Sequence, residues 1–336
     1  MKPRIITPLL ALSLFSAPLK AADEAPAGTP ASPVTTTPGT RVEPNPDASL
    51  QADLARALES TTEIVWLEAG DKQSLALFEP HNTREQLGNV LILHDQRTSA
   101  DWPELVSTLR TGLPDKGWAT LSLQLPSPPH TPLPQRTSNN AKPAADGSGD
   151  TTDTTTADST YDQRLAQIAD AAFSYLQERE GKLVVLGIGS GATWATTFVR
   201  AREQSSQELS LVMVDSQQPE HPQAPDLMTL LPELSSTVLD LYHGSTLDEN
   251  RVANPRSRIN LAKRNKLDNY HHSRLPLLPG DRKKRNQWVL SRVRGFMQTY
   301  IVDAAEEENP KERRRYSGPK NENGPGQNTG MMDKSI

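Results

Sequence analysis

The sequence predicts an α/β fold: an open, mostly parallel sheet that is covered by helices on both faces. Two observations carry this prediction. Short, continuously apolar runs of the kind found in doubly covered strands recur along the chain. Segments with helical spacing of apolar residues alternate with these runs, and such alternation is typical of parallel sheets.

The predicted elements follow one another between residues 61 and 302. Gly70 and Asp71 separate two runs, 63–68 and 74–78, which predict an opening β-hairpin. Further strands are predicted at 90–93, 118–125, 183–186, 209–214 and 237–242. Helices are predicted after residue 101, at 162–177, at 192–201 and around 290–301. Asp101 and Glu104 have the spacing of a capping box for the first of these helices.

Four other segments lack the pattern of a folded core. Residues 1–22 contain the basic, apolar and small-residue parts of a secretory signal peptide, and the apolar part is too short to span a membrane. A Pro/Ala/Thr-rich linker at 23–60, an insertion at 127–159 and a tail at 303–336 bury too little apolar surface to order themselves. We therefore expect a periplasmic or secreted protein that is not membrane-spanning.

Cysteine and charge restrict the chemistry further. The chain has no cysteine, which excludes disulfides, thiolate catalysis and cysteine-bound metals. The net charge of −5 points to no particular partner, but residues 251–285 contain 11 Lys and Arg against two acids. Such a run is usually a solvated face. Alternatively it binds anions such as lipid head groups, cell-wall polymer or an acidic partner, with Arg282, Lys283, Lys284 and Arg285 as candidates. Nucleic acid is disfavoured because aromatic residues are not interleaved with the charges.

A glycine turn carries the chemical information in the sequence. Residues 183–192, LVVLGIGSGA, predict a buried strand, a sharp turn and a helix. Gly187, Gly189 and Ala192 fit a dinucleotide-binding fingerprint, and Asp215 lies about 20 residues further on. That motif normally opens its domain, however, whereas several strands precede it here. An exported protein also meets little soluble nucleotide cofactor, which equally disfavours a methyltransferase-like loop. We therefore predict no cofactor.

The same turn has the small-x-nucleophile-x-small spacing of a nucleophile elbow. His94-Asp95 follows an early predicted strand, and Val214-Asp215 ends a later one. In this order of elements the chain resembles the α/β-hydrolase superfamily. Through residues 117–126, GWATLSLQLP, and 239–244, LDLYHG, it resembles an uncharacterised bacterial branch of that superfamily, a domain of unknown function. The resemblance covers roughly 61–301 and implies an α/β-hydrolase-like sheet.

The resemblance places the small residues of the elbow at Gly187 and Gly191, and the nucleophile at Gly189. Glycine has no side chain with which to attack. The adjacent Ser190 would begin the helix and offer its backbone N–H to an oxyanion hole. A shifted register that made Ser190 the nucleophile would place Ile188 where a small residue is needed.

The other members of a triad are placed less well by the resemblance. Asp248 stands where the superfamily has its acid, although a solvated loop carboxylate is an equal alternative. The loop after the last strand has no histidine, and His271 and His272 lie before or within that strand. A catalytic triad needs all three groups within hydrogen-bonding reach of one another.

The predicted ligand crevice consists of His94, Asp95, Gly189 and Ser190, because the loop at His94 would supply a second oxyanion donor. No HExxH or comparable ligand spacing occurs, so no metal site is predicted.

Two functional hypotheses follow. The leading one is a non-catalytic α/β-hydrolase-like domain that binds a small molecule or a component of the cell envelope. The alternative is an esterase-type hydrolase with Ser190 as displaced nucleophile, Asp248 as acid and His272 or His271 as base. The oligomeric state and the ligand are left open by the sequence.

Overall fold

The computed structural model describes residues 46–58, 60, 62–70, 72–128, 154–205, 207–221, 224–243, 252, 254–276 and 280–305. The predicted signal peptide, most of the predicted linker and insertion, Asp248, and the tail beyond residue 305 lie outside these ranges. Within them, no helix has both the length and the apolar character that a membrane span requires.

Eight strands of the described chain form one sheet, in the order β1-β2-β4-β3-β5-β6-β7-β8. They are β1 Glu63–Ala69, β2 Lys72–Glu79, β3 Gly88–Leu93, β4 Trp118–Leu123, β5 Lys182–Ile188, β6 Ser210–Val214, β7 Thr237–His243 and β8 Tyr270–Leu275. Strand β2 is antiparallel to β1 and β4, and every other neighbouring pair is parallel. The predicted hairpin and the mostly parallel sheet are confirmed.

Helices connect these strands. They are α1 Pro46–Leu58, α2 Leu105–Gly112, α3 Thr154–Gln177, α4 Gly191–Glu203, α5 Leu227–Leu230, α6 Pro255–Asn265 and α7 Arg282–Met297, which continues as a π-helix over Gln298–Asp303. Two short 3-10 turns, Pro114–Lys116 and Leu231–Glu233, complete the set. Helix α3 therefore begins inside the predicted insertion 127–159.

Both faces of the sheet are covered, as predicted. Because successive side chains of a strand point to opposite faces, Val90 and Ile92 lie under α2 and α7. Leu91 and Leu93 lie under α3 and α4 instead. All four side chains are fully buried. The central strands thus have apolar residues on both faces, which explains their continuous apolar runs.

Helix α1 corrects the predicted linker at 23–60, since residues 46–58 are helical. Three partly buried residues at helical spacing, Leu54, Ala55 and Leu58, pack against Leu75 and its neighbours on β2. The side chain of Gln51 also accepts a hydrogen bond from the backbone N–H of Leu75. This apolar stripe is narrow and polar residues surround it, so the sequence pattern did not predict the helix.

The predicted capping box at Asp101 and Glu104 is wrong. Glu104 itself precedes the helix with a left-handed φ of 88°, and its side chain makes no capping hydrogen bond to α2 in the part of the chain that the structure describes. Asp101 instead accepts hydrogen bonds from the buried guanidinium of Arg110, at 2.7 and 3.1 Å. The Asp101 carboxylate therefore pairs with Arg110, which also pairs with Glu79, instead of capping α2.

The basic segment 251–285 is not uniformly a solvated face. It contains α6 and β8, and Arg258 on α6 is fully buried. Its guanidinium makes two hydrogen bonds to the Asp240 carboxylate on β7, at 2.6 and 3.0 Å. The Tyr270 hydroxyl donates to the same carboxylate, and burial together with Asp240 raises the pKa of Tyr270 well above its usual value. One basic residue of this run therefore connects α6 to the sheet.

Candidate functional site

The elbow lies between β5 and α4, at the carboxyl end of a central strand. Gly189 has φ +60°, a left-handed conformation that side-chain-bearing residues rarely adopt. The N–H of Gly189 donates to Val214 O, and its own carbonyl accepts from the N–H of Gln217. At Gly191 an added Cβ would lie 2.4 Å from two backbone oxygens of the β3 end. The turn is thus a tight elbow with glycine at its apex.

The carboxylate of Asp95 occupies the space that a nucleophile would take. A Cβ built on Gly189 would stand 2.6 Å from Asp95 Oδ1 and 2.8 Å from Asp95 Cγ. Both Ser190 N and Ser190 Oγ donate hydrogen bonds to Asp95 Oδ1, at 2.8 and 2.6 Å. An anion at the amino end of α4 is also favoured by the helix dipole. Asp95 lies in the loop after β3, called the β3 loop, and was predicted to line the crevice. Its carboxylate therefore fills the elbow.

Ser190 is enclosed rather than presented to a substrate. Its exposed fraction is 2%, and its Oγ accepts a hydrogen bond from Gln96 N at 2.9 Å in addition to donating to Asp95. The β3 loop is joined to the loop after β6 by a hydrogen bond from Glu220 N to Gln96 Oε1 and by an ion pair between Arg97 and Glu220. Gly189 and Ser190 are both buried.

His94 has a structural environment. It is 1% exposed, its Nδ1 lies 2.6 Å from the carbonyl oxygen of Asp95, and its Nε2 accepts from Leu125 N at 3.1 Å. Burial lowers the pKa of His94 to about 4. The ring is therefore neutral near pH 7, and both its nitrogens serve to position the loop that carries Asp95.

Asp215 and His243 form an acid–histidine pair next to the elbow, which the sequence analysis did not predict. His243 Nδ1 lies 2.6 Å from Asp215 Oδ2, and His243 N donates to Asp215 Oδ1 at 2.8 Å. Asp215 has φ +48°, which is uncommon for a residue with a side chain. The ring is a quarter exposed. A carboxylate that accepts from Nδ1 orients a histidine as a base through Nε2.

The sequence contained a partial signal for this pair. Val214 and Leu241 are register partners, so Asp215 and His243 both stand at the carboxyl ends of adjacent parallel strands. The sequence analysis considered Asp215 only beside a dinucleotide fingerprint and at the end of a predicted strand. Pairing them required knowing that β6 and β7 are neighbours.

The predicted triad members are not brought together in the described part of the chain. Asp248 lies outside it. His271 and His272 lie on β8, as predicted, and β8 is separated from β5 by β6 and β7. His271 is close to Tyr300, with ring centroids 3.9 Å apart, and His272 lies beside Tyr242 and Tyr270. No described hydrogen bond links either ring to Ser190.

The four predicted anion-binding residues, Arg282, Lys283, Lys284 and Arg285, form the first turn of α7. Arg282 makes a 2.6 Å ion pair with Glu104, and Lys284 a 3.3 Å ion pair with Asp281. Their helix packs with α2 on one face of the sheet.

Solved structures that resemble this one are α/β hydrolases. A dienelactone hydrolase from Anabaena variabilis is 16% identical, with a TM-score of 0.49 over 71% of this chain and 98% of that chain. Est1E from Butyrivibrio proteoclasticus is 12% identical, with a TM-score of 0.50 over 71% and 99% of the two chains. An esterase from Pyrococcus furiosus is 12% identical, with a TM-score of 0.49 over 73% and 93%. The TM-score of 0.50 with Est1E, at 12% identity, shows a likeness of fold alone.

A comparison with curated proteins by sequence gave no match. A family model described as "Protein of unknown function (DUF3530)" matches residues 4–299, which is most of the chain. The fold and the match agree with the resemblance carried by the elbow and the LDLYHG strand end. The chain therefore belongs to the DUF3530 family, a branch with the α/β-hydrolase fold.

Proposed function

We propose that the protein is an exported, non-catalytic α/β-hydrolase-like domain that binds a small molecule or a component of the cell envelope. One observation carries the non-catalytic part. The Asp95 carboxylate stands where the nucleophile would stand and accepts the Ser190 N–H that would otherwise bind an oxyanion. Export rests on the predicted signal peptide at residues 1–22.

A comparison of magnitudes supports this proposal. One oxyanion-hole donor typically contributes about 2.7–4 kcal/mol to transition-state stabilisation. Two unit negative charges 4 Å apart repel by about 4 kcal/mol at an effective dielectric constant near 20. A developing oxyanion that shared the Ser190 N–H with the Asp95 carboxylate would therefore lose about as much as the donor supplies.

The alternative is an esterase-type hydrolase in which Ser190 is the displaced nucleophile. His243, held by Asp215, is a better-oriented base for such an enzyme than His272, because its Nδ1 already has a carboxylate partner. The same pair would activate a water molecule in a hydrolase without a serine nucleophile. Against Ser190, its hydroxyl is directed at Asp95 and enclosed.

Ester turnover by matched variants separates these possibilities. Short-chain p-nitrophenyl esters are offered to the wild type, Ser190→Ala and His243→Gln, with Ser273→Ala on β8 as the control. We expect all four proteins to give the same background rate. A rate that falls in Ser190→Ala, with or without a fall in His243→Gln, supports the displaced nucleophile, and a rate that falls in His243→Gln but not in Ser190→Ala supports water activation. Either loss overturns the non-catalytic proposal.

A further inference from the structure

We propose that the outward side of α7 binds the surface of an anionic lipid bilayer. This side, called the basic face, consists of Lys283, Lys284, Arg285, Trp288, Arg292 and Arg294. The opposite side of the helix is buried on the sheet through Val289, Leu290, Val293, Phe296 and Met297. The apolar side of α7 is thus used by the core, so the interaction would be peripheral attachment through charge rather than insertion.

The charge of the basic face is largely uncompensated. No acidic residue occurs between Arg282 and Met297. Asp281 pairs with Lys284, and Glu104 pairs with the neighbouring Arg282. Within the described residues, no ion pair involves Lys283, Arg285, Arg292 or Arg294. Positive charge therefore remains available to an external anion.

Helix stability does not explain these charges. Four consecutive basic residues, 282–285, form the first turn of α7, and the helix dipole disfavours cations at an amino end. Neighbouring like charges on a helix repel each other as well. On α6, by contrast, Lys263 and Arg264 lie in the last turn, where cations are favoured. Helix stability alone therefore gives no reason for four basic residues in this turn, which points to a role in binding.

Exposed tryptophan accompanies the charge. Trp288 lies within the basic face with 43% of its surface exposed, and the Arg292 guanidinium lies 5.5 Å from its ring centroid. Trp102, 44% exposed, lies just before α2, close in sequence to Glu104, the partner of Arg282. Tryptophan favours the boundary between lipid head groups and the acyl region. Basic residues beside it are attracted to anionic head groups.

The length of the basic face favours an extended partner over a small anion. Charges from Lys283 to Arg294 span about 16 Å along the helix axis at 1.5 Å per residue. A single phosphate would contact one or two of them. Lys284, Arg285 and Arg292 lie within about 100° of one another around the helix, so a plane of head groups would face these three together, with Lys283 and Arg294 at the edges. The lipid surface is the partner that we assign to the binding role proposed above, so this assignment rests on that proposed function.

Vesicle sedimentation tests the proposal on the full chain. Phosphatidylglycerol–phosphatidylcholine vesicles are compared with pure phosphatidylcholine vesicles. The triple variant Lys283→Gln, Arg285→Gln, Arg292→Gln is compared with a control triple on α6, Arg256→Gln, Lys263→Gln, Arg264→Gln, which removes the same net charge. Because each basic residue contributes roughly fivefold at an anionic surface, the α7 triple should lower partitioning about a hundredfold. The α6 triple should change it little.

Thermal unfolding of the same proteins is the second measurement. The α7 triple should unfold at the wild-type temperature or above it, because it relieves repulsion at a helix amino end. Reduced binding by a fully folded variant then cannot be attributed to misfolding.

Three results would overturn the lipid assignment. They are equal losses for the two triples, equal binding to vesicles with and without phosphatidylglycerol, and binding to soluble polyglutamate as tight as binding to vesicles. The last result would identify an acidic macromolecule as the partner. Ester turnover that depends on Ser190 would instead refute the proposed non-catalytic role, and it would leave the vesicle result unaffected.

Discussion

At the scale of single residues, Gly189 and Asp95 depend on each other, because the Asp95 carboxylate occupies the space that a side chain at position 189 would need. Gly189→Ala should lower the free energy of unfolding by about 1–3 kcal/mol, since the new Cβ meets the Asp95 carboxylate at a positive φ. In an Asp95→Ala background the same change should cost at least about 1 kcal/mol less. Denaturant unfolding of the four proteins of this double-mutant cycle measures the coupling.

Gly295→Ala is the matched control for this cycle. Gly295 lies inside α7, and a Cβ there would meet no atom of the described residues within 4 Å. This change should be neutral or stabilise by about 0.5–1 kcal/mol, as glycine is a poor helix former. If the costs of Gly189→Ala and Asp95→Ala simply add, Asp95 does not fill the elbow.

His94 makes stability depend on pH. Its folded pKa of about 4 is below the unfolded value near 6.5, so the unfolded state binds the proton first as pH falls. The stabilisation is present above pH 6.5 and declines toward pH 4, by about 3 kcal/mol in total. Denaturant unfolding of the wild type and His94→Gln across this window should show a shallower pH dependence in the variant. Parallel pH profiles would contradict this account.

At the scale of elements, α6 is attached to the sheet by the buried Arg258–Asp240 pair. Among the described residues, Arg258→Met leaves the buried Asp240 carboxylate only the Tyr270 hydroxyl as a partner, and it should cost about 3–5 kcal/mol. Arg264→Met, on an exposed position of the same helix, should stay within about 0.5 kcal/mol of the wild type. Thermal or denaturant unfolding compares the two. Similar small effects from both changes would show that the buried pair does not stabilise α6.

The elements differ in how far the sequence could predict them. Buried strands such as β5 and the amphipathic stripe of α7 have local periodicity, which is visible without knowing their neighbours. Helix α6 was missed because Arg258 looks like one more solvated charge until Asp240 is brought beside it. The predicted capping box was wrong for a related reason, because Asp101, which precedes α2, is hydrogen-bonded to Arg110 of that helix.

The candidate site shows the same division between local and distant information. The lack of a nucleophile at Gly189 was readable from the sequence, because the elbow spacing is local. The position of the Asp95 carboxylate in the elbow could not be predicted from the sequence, because Asp95 and Ser190 are 95 residues apart. The Asp215–His243 pair likewise depends on β6 and β7 being neighbours.

At the scale of the whole molecule, the proposed role requires export. We expect mature protein to begin at Ala22 or Asp23 and to fractionate with the periplasm or the medium, because residues 1–22 have the three parts of a signal peptide. N-terminal sequencing of fractionated material measures both. Cytosolic protein that retains Met1 would contradict export.

The central claim is that this α/β-hydrolase fold has no working serine nucleophile, because Asp95 fills the elbow and Ser190 is enclosed behind it. Labelling with a fluorophosphonate probe, followed by mass spectrometry of the intact protein and its peptides, tests this most directly. The account predicts no adduct on Ser190, and the same background for the wild type and Ser190→Ala. Stoichiometric labelling of the wild type that maps to Ser190 and disappears in Ser190→Ala would contradict it.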